Sequence, residues 1–92
     1  MKKMLFTRYM QLIGLEVVEG SHMLYNLDGD VSKDFEPISL LVDDEGKIYG
    51  GVSESKTAFI KTNTRFYDLP DFDREFAMST MYEYSMTELN ER

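Results

Sequence analysis

The sequence contains no cysteine and only one histidine, His22. The absence of cysteine excludes disulfide bonds, thiolate zinc sites, iron–sulfur clusters and a cysteine nucleophile. A single histidine cannot build a histidine-rich metal site, and neither an HExxH motif nor a Gly-x-Ser-x-Gly motif accompanies it. We therefore expect a protein that is not an enzyme and that holds no metal and no cofactor.

Long hydrophobic runs are missing as well. No apolar stretch approaches the roughly 18 residues that a membrane-spanning helix needs. The N-terminus begins with two lysines and an apolar stretch, but Arg8, Tyr9 and Gln11 interrupt that stretch and no small-residue cleavage site follows. We therefore expect no signal peptide and no membrane partner. The lack of cysteine is compatible with a cytoplasmic location.

The material for a hydrophobic core is present. Apolar residues make up 42% of the 92 residues and include six Phe, six Tyr and seven Met, which argues against disorder. The length predicts a single domain, residues 1–92. One alternative concerns Gly20-Ser21-His22-Met23, which matches the remnant of a cleavable purification tag. If this tetrapeptide is a scar, residues 1–23 are a fused peptide followed by the tag scar. A scar in a chain with its own initial Met is unusual, which favours a native segment.

The N-terminal half of the chain predicts one helix and a group of short strands. Residues 2–13 follow the three-and-four spacing of an amphipathic helix that stops at Gly14, with an apolar strand near residue 5 as the alternative. Residues 15–19 and 23–27 predict two strands joined by a loop at residues 20–22.

A second hairpin is the firmest structural prediction. Residues 38–43 and 47–52 form its strands and Asp44-Glu45-Gly46 its tip. Gly50 and Gly51 indicate a bulge or a close backbone approach in the return strand.

The C-terminal half ends in helical sequence. Residues 53–67 are ambiguous between helix and strand, and their Thr and aromatic content favours a short turn followed by a strand. Asp68-Leu69-Pro70-Asp71 is typical of a helix start. The apolar face of the following helix is expected to contain Phe72, Phe76, Tyr82, Met86 and Leu89. Two capping-box matches allow either one helix or two, with a break near residues 79–85. The predicted fold is α+β: a small antiparallel sheet with an N-terminal helix and one or two C-terminal helices packed on it.

Charge is unevenly distributed along the chain. The formal net charge is −7, but residues 1–13 carry +3, residues 14–46 carry −8, residues 47–66 carry +3 and residues 67–92 carry −5. Blocks of one sign predict charged patches on the folded surface, unless the blocks pair with one another inside the monomer.

The most acidic segment, residues 28–45, does not match a known ion site. An EF-hand calcium loop that starts at Asp28 needs Gly at the sixth position and Glu at the twelfth, where this chain has Lys33 and Ser39. The acidic segments instead predict a phosphate-mimicking surface that binds a partner. Its expected members are Asp28, Asp30, Asp34, Glu36, Asp43, Asp44, Glu45, Asp68, Asp71, Asp73 and Glu75.

A surface of carboxylates is suited to the basic groove of a DNA-binding protein. Ten basic residues against 17 acids make direct nucleic-acid binding unfavourable. A compact chain of this length spans roughly 30 Å, and that length of duplex carries about 18 phosphates. The number of acids therefore matches the charge of the duplex that the chain would replace.

In size and charge the chain resembles the anti-restriction nuclease proteins of T-even phages. The segments that carry the resemblance are DGDVSKDFE, VDDEG and DLPDFDRE. The resemblance implies a phage early protein that acts in the host cytoplasm as a homodimeric DNA mimic against a restriction nuclease. It rests on size and charge alone and assigns no role to any single residue.

Two functional hypotheses follow from these patterns. The first is a DNA-mimic inhibitor that blocks a nucleic-acid-binding host enzyme, such as a restriction nuclease, through its acidic surface. The alternative is a small phage regulator that binds a host protein, for example in the transcription machinery, through an apolar helix surface. A homodimer is expected in the first case because a second copy doubles the length of duplex that is mimicked.

Overall fold

The computed structural model describes residues 1–21 and 37–92, and its fold is α+β. The helices are α1 (Lys3–Gln11) and α2 (Asp71–Met86), and the strands are β1 (Glu16–Ser21), β2 (Pro37–Val42), β3 (Ile48–Ser53) and β4 (Ile60–Thr62). Two short 3-10 turns, Thr64–Asp68 and Leu89–Glu91, lie before and after α2. The strands form one antiparallel sheet in the order β1-β2-β3-β4. The predicted fold class is therefore confirmed.

The N-terminal helix forms and ends where the sequence predicts. Phe6 and Met10 are buried on one face of α1. Gly14 adopts a positive φ of 80°, which a residue without a Cβ does at little cost. The backbone N–H of Gly14 donates to Gln11 (3.1 Å) and that of Leu15 donates to Met10 (3.0 Å), which is the Schellman pattern. Buried Leu15 then directs the chain into β1.

The first strand is longer than predicted and pairs with β2. Gly20 and Ser21 belong to β1, where they pair with Ile38 and Pro37 of β2. The predicted loop at residues 20–22 is therefore wrong at these two positions, because the ladder with β2 continues through them. The predicted strand at residues 23–27 lies outside the described residues.

The β2–β3 hairpin is confirmed, including its irregularity. Leu41 pairs with Gly50 but Val42 pairs with Ile48, so the register shifts at Tyr49. Gly50 also lies against β4, where an added Cβ would stand 2.6 Å from the carbonyl oxygen of Lys61. Both predicted consequences of the glycine pair, a bulge and a close approach, are present.

The segment after β4 is a 3-10 turn rather than the predicted strand. Asn63 leaves the ladder, and its side-chain amide donates to the carbonyl of Ile48 (2.7 Å). The backbone N–H of Phe66 then donates to Asn63 (3.1 Å), which tightens the chain and buries the Phe66 ring in the core. Burial of this ring outweighs the β propensity of the surrounding Thr and aromatic residues.

The C-terminal helix begins at the predicted position and is continuous. Asp71 follows Pro70, and the helix has no break between Ser79 and Ser85. The Thr80 hydroxyl donates to the carbonyl of Phe76 (2.7 Å) and the Ser85 hydroxyl to that of Tyr82 (2.7 Å). These hydroxyls are satisfied by the helix itself, so they do not cap a second helix.

The predicted apolar face of α2 is not the side that packs on the core, and of its members only Phe76 contacts the core. The side chains that face the core are Ala77, Thr80, Met81, Tyr84 and Ser85. Phe72, Tyr82 and Met86 are exposed instead. At about 100° per residue the two sets lie on opposite sides of the helix. Hydrogen bonding of the hydroxyls inside the helix explains why small polar residues occupy the buried side.

Both helices cover the same face of the sheet and run antiparallel. The amino group of Met1 donates to the Thr87 hydroxyl (2.7 Å), and the rings of Tyr9 and Phe76 meet edge to face at 5.9 Å. The main core lies between the sheet and this helix layer. Its buried members are Phe6, Met10, Leu15, Leu41, Val52, Phe66, Ala77, Met81 and Tyr84.

Candidate binding surfaces

Two of the predicted acidic segments lie at the same end of the fold. The hairpin tip with Asp43, Asp44 and Glu45 follows β2 directly. Strand β4 runs back toward that tip, since Thr62 pairs with Gly50 and the backbone N–H of Asn63 donates to Tyr49 (3.2 Å). The following 3-10 turn and the first turn of α2 therefore lie at this end too. We call it the acidic end; its predicted members are Asp43, Asp44, Glu45, Asp68, Asp71, Asp73 and Glu75.

The remaining predicted members are Asp28, Asp30, Asp34 and Glu36, which lie outside the described residues. One carboxylate at the acidic end was not predicted. Glu16 starts β1, pairs with Val42 next to the hairpin tip and is exposed. Glu16 is identified by the register of β1 against β2. The sequence did not predict this register, because β1 was expected to pair with residues 23–27.

Asp43 has a structural role within the hairpin tip. Its Oδ1 accepts from the backbone N–H groups of Glu45 and Lys47, both at 2.9 Å, and its Oδ2 accepts from the Tyr49 hydroxyl at 2.9 Å. The hydrogen bond from the backbone of Lys47 is the main reason that the pKa of Asp43 is lowered. Asp43 therefore stays ionised and holds the turn that presents Asp44 and Glu45.

Basic residues neutralise part of the acidic end. Lys47 pairs with Glu45 (3.1 Å), and Arg74 pairs with Asp71 (2.8 Å). The guanidinium of Arg65 donates to the carbonyl of Ile48 at the same end. Within residues 1–21 and 37–92, the other predicted carboxylates have no ion pair. These five are Asp43, Asp44, Asp68, Asp73 and Glu75.

A second polar site, which the sequence did not predict, surrounds Glu54. The Glu54 carboxylate is only 17% exposed and accepts from the hydroxyls of Ser39 and Tyr84, the latter at 2.7 Å. Arg92 Nη1 donates to it at 2.9 Å, and Lys3 Nζ lies 3.7 Å away. We call these five residues the Glu54 cluster.

Arg92 joins the Glu54 cluster to the end of α2. Its side chain is 4% exposed, and its guanidinium also donates to the carbonyls of Ser53, Ser85 and Thr87. It stacks on the Tyr84 ring at 4.8 Å. The donors of Arg92 are therefore used within the protein.

Protonation states in the Glu54 cluster follow from these contacts. Burial of the Glu54 carboxylate raises its pKa, but hydrogen bonds from Ser39, Tyr84 and Arg92 outweigh burial and lower it overall. Burial and the hydrogen bond to Glu54 both raise the pKa of Tyr84. At neutral pH the carboxylate is ionised and the phenol keeps its proton.

The Glu54 cluster borders a cavity of about 380 Å³, which also contacts Glu19, Gly20, Pro37, Ile38 and Leu89. This volume lies in the range of small-molecule sites. The polar groups of the Glu54 cluster, however, bind one another, Glu19 and backbone carbonyls. They connect α1, β2, the end of β3, α2 and Arg92, so the arrangement is that of a structural ionic network.

The outer surface of the helix layer is rich in apolar side chains. Six large hydrophobic residues on it are between 41% and 76% exposed. They are Met4, Leu5 and Leu12, on α1 or directly after it, and Phe72, Tyr82 and Met86 on α2. We call this surface the helix face. Phe76 stacks on Phe72 (6.2 Å) and meets Tyr9 of α1, which connects the two halves of the helix face.

Two absences apply to the described part of the chain. Among residues 1–21 and 37–92, His, Asp and Glu side chains form no group of three or more that could hold a metal ion. No helix there has both the length and the hydropathy needed to cross a membrane.

Comparison with protein-family models, with curated proteins and with solved structures finds no match for this chain. The acidic end, the Glu54 cluster and the helix face are therefore the observations from which a function is inferred.

Proposed function

We propose that this protein is a non-enzymatic inhibitor that blocks a DNA-binding host enzyme, such as a restriction nuclease. Its acidic end would occupy the groove that the enzyme uses for the phosphates of DNA. The observation that carries the proposal is the position of two acidic segments, residues 43–45 and 68–75, at one end of the sheet although they are far apart in the sequence.

The charge of the acidic end supports this function. With Glu16 it carries eight carboxylates against three basic groups, Lys47, Arg65 and Arg74, which leaves a net charge of −5 (eight minus three). The end of a four-stranded sheet is about 15 Å wide. A duplex of that length carries about nine phosphates. The eight carboxylates are thus close in number to these phosphates, and the net charge of the acidic end is a little over half of theirs.

Two charge-reversal variants with the same net charge test the proposal. Asp44→Lys/Asp68→Lys changes the acidic end, whereas Glu88→Lys/Glu91→Lys changes exposed acids near the opposite end of α2. Both variants change the formal net charge from −7 to −3, since each substitution adds two charges. The assay measures plasmid cleavage by a panel of restriction nucleases, including nucleases that cleave modified DNA.

The wild-type protein and the Glu88/Glu91 variant are expected to inhibit at least one nuclease of the panel. The Asp44/Asp68 variant is expected to lose inhibition by about tenfold or more, because like charges across an interface cost several kcal/mol. Equal inhibition by both variants, or no inhibition of any nuclease by the wild-type protein, would contradict the proposal. Circular dichroism spectra of all three proteins establish that the fold is retained.

The helix face favours a second candidate function, a regulator that docks on a host protein through apolar contacts. The supporting observation is the exposure of Phe72, Tyr82 and Met86 on α2. In that case Phe72→Glu would abolish binding to the host protein, and the Asp44/Asp68 variant would bind normally. The two functions therefore predict opposite responses to the same pair of variants.

A further inference from the structure

We propose that the helix face is a homodimer interface and that its occupant is the helix face of a second copy of this chain. In this dimer the two-fold axis lies in the contact plane between the two copies and runs parallel to the helices. It places α1 of one copy over α2 of the other. The inference rests on apolar area and on charge, and it does not depend on what the acidic end binds.

The apolar area is sufficient for a specific contact. Taking about 200 Å² for each large side chain, the six exposed hydrophobic residues of the helix face present roughly 700 Å². The largest apolar patch on a typical monomer is about 300–600 Å², and a stable interface buries about 800 Å² on each partner. The apolar area of the helix face therefore exceeds that of a typical largest patch and approaches the area buried on each partner of a stable interface.

The charges of the two helices are complementary to each other. The exposed charges on and beside α1 are basic, Lys2 and Arg8. The exposed surface of α2 carries Glu75 and Glu83 among its apolar residues. Among the described residues, Arg8, Glu75 and Glu83 take part in no ion pair. A partner that offers both a basic and an acidic apolar helix, side by side, is another copy of this chain.

Charge also selects one of the two symmetric arrangements. If the two-fold axis ran perpendicular to the helices, α1 would face α1 and α2 would face α2, so like charges would meet. An axis parallel to the helices places basic α1 over acidic α2 twice. Rotation about such an axis leaves positions along it unchanged. Both acidic ends therefore lie at the same end of the dimer and form one larger acidic surface, whose repulsion the two α1–α2 contacts have to outweigh.

The first test measures the mass in solution by sedimentation equilibrium over a series of concentrations. The wild-type protein is expected to reach twice the chain mass of 10.7 kDa. Leu12→Glu and Phe72→Glu, at positions 76% and 73% exposed, are each expected to weaken the dimer about 30-fold or more. Tyr67→Glu is the matched control, since Tyr67 is 63% exposed but lies outside both helices.

The second test uses charge. Lys2→Glu/Arg8→Glu makes the exposed charges of both helices acidic, and Glu75→Lys/Glu83→Lys makes both helices basic. Each variant alone is therefore expected to dimerise more weakly than the wild-type protein. An equimolar mixture is expected to form a heterodimer, because both α1–α2 contacts are then attractive again. Isotope-labelled copies of one variant distinguish the heterodimer by native mass spectrometry.

Several outcomes would overturn the inference. A wild-type protein that stays at the chain mass at every concentration excludes the dimer. A dimer that tolerates both Leu12→Glu and Phe72→Glu uses a different surface. A mixture of the two charge variants that stays monomeric excludes the α1–α2 arrangement. A wild-type protein that stays monomeric and binds a host protein through its helix face excludes it as well.

Discussion

Replacing Glu54 by Gln is expected to lower the free energy of unfolding by about 3 kcal/mol. This value is the lower end of the range measured when one partner of a buried ion pair is removed. Arg92 is 4% exposed, so the variant leaves a buried guanidinium without its counter-ion. The hydroxyls of Ser39 and Tyr84 also lose the carboxylate that accepts their hydrogen bonds. Urea denaturation of the two proteins measures the difference.

Glu19→Gln is the matched control for this substitution. Glu19 also pairs with Lys3, but its side chain is 82% exposed, and an exposed pair contributes little to stability. We expect a change within about 0.5 kcal/mol. If Glu54→Gln and Glu19→Gln destabilise the protein equally, the Glu54 cluster does not hold the layers together.

The same pair of proteins has a predictable dependence on pH. Because its hydrogen bonds lower the pKa of Glu54 in the folded protein below the ordinary value of 4.5, the unfolded chain binds more protons in this range. The stabilisation by the Glu54 carboxylate is therefore complete above pH 4.5 and is lost as the pH falls through the folded pKa. The stability difference between the wild-type protein and Glu54→Gln should shrink in acid. A difference that grows in acid would mean that the folded pKa is raised.

The second large effect is expected at Gly50. A Cβ at this position would lie 2.6 Å from the backbone carbonyl oxygen of Lys61 and 3.4 Å from the Cε atom of Met81. Backbone cannot move away as the end of a flexible side chain can, so β4 has to shift. We expect Gly50→Ala to destabilise the protein by about 2–3 kcal/mol, as overpacked cores do.

Gly46→Asn provides the comparison for Gly50→Ala. Gly46 has a φ of 80° at the open hairpin tip, where an added Cβ meets nothing within 4 Å. Asn tolerates this left-handed conformation, so we expect a change within about 0.5 kcal/mol. Equal stability of Gly50→Ala and the wild-type protein would show that β3 and β4 are not packed as closely as described.

The elements that sequence predicts well are those set by local signals. The Schellman ending at Gly14, the hairpin tip at Asp44-Glu45-Gly46 and the helix start after Pro70 each depend on residues close together in the chain. Such signals require no knowledge of distant contacts.

The features of the fold that the sequence did not predict depend on contacts between distant segments of the chain. The partner of β1 was not predicted, because pairing with β2 joins strands separated by residues 22–36. The face of α2 was predicted from the spacing of its apolar residues. The sheet and α1 instead select Ala77, Met81 and Tyr84, with Phe6 stacked on Tyr84 at 4.3 Å. The Glu54 cluster was not predicted either, since Glu54 and Arg92 are 38 residues apart.

The candidate surfaces were also predicted only where they depend on local sequence. Charge counting identified the acidic segments, but their position at one end depends on the direction of β4 and on the turn after it. Three residues of the helix face, Phe72, Tyr82 and Met86, were predicted to lie on the apolar face of the C-terminal helix. Their exposure follows from the opposite side of α2 facing the core.

The central claim is that carboxylates at the acidic end replace phosphates in a partner's groove. The most direct measurement is the affinity of the protein for an inhibited nuclease as a function of salt concentration. If charge drives binding, raising the salt from about 50 to about 200 mM should weaken the affinity about tenfold or more. An affinity that stays constant across this range would contradict the claim and would indicate an apolar docking site instead.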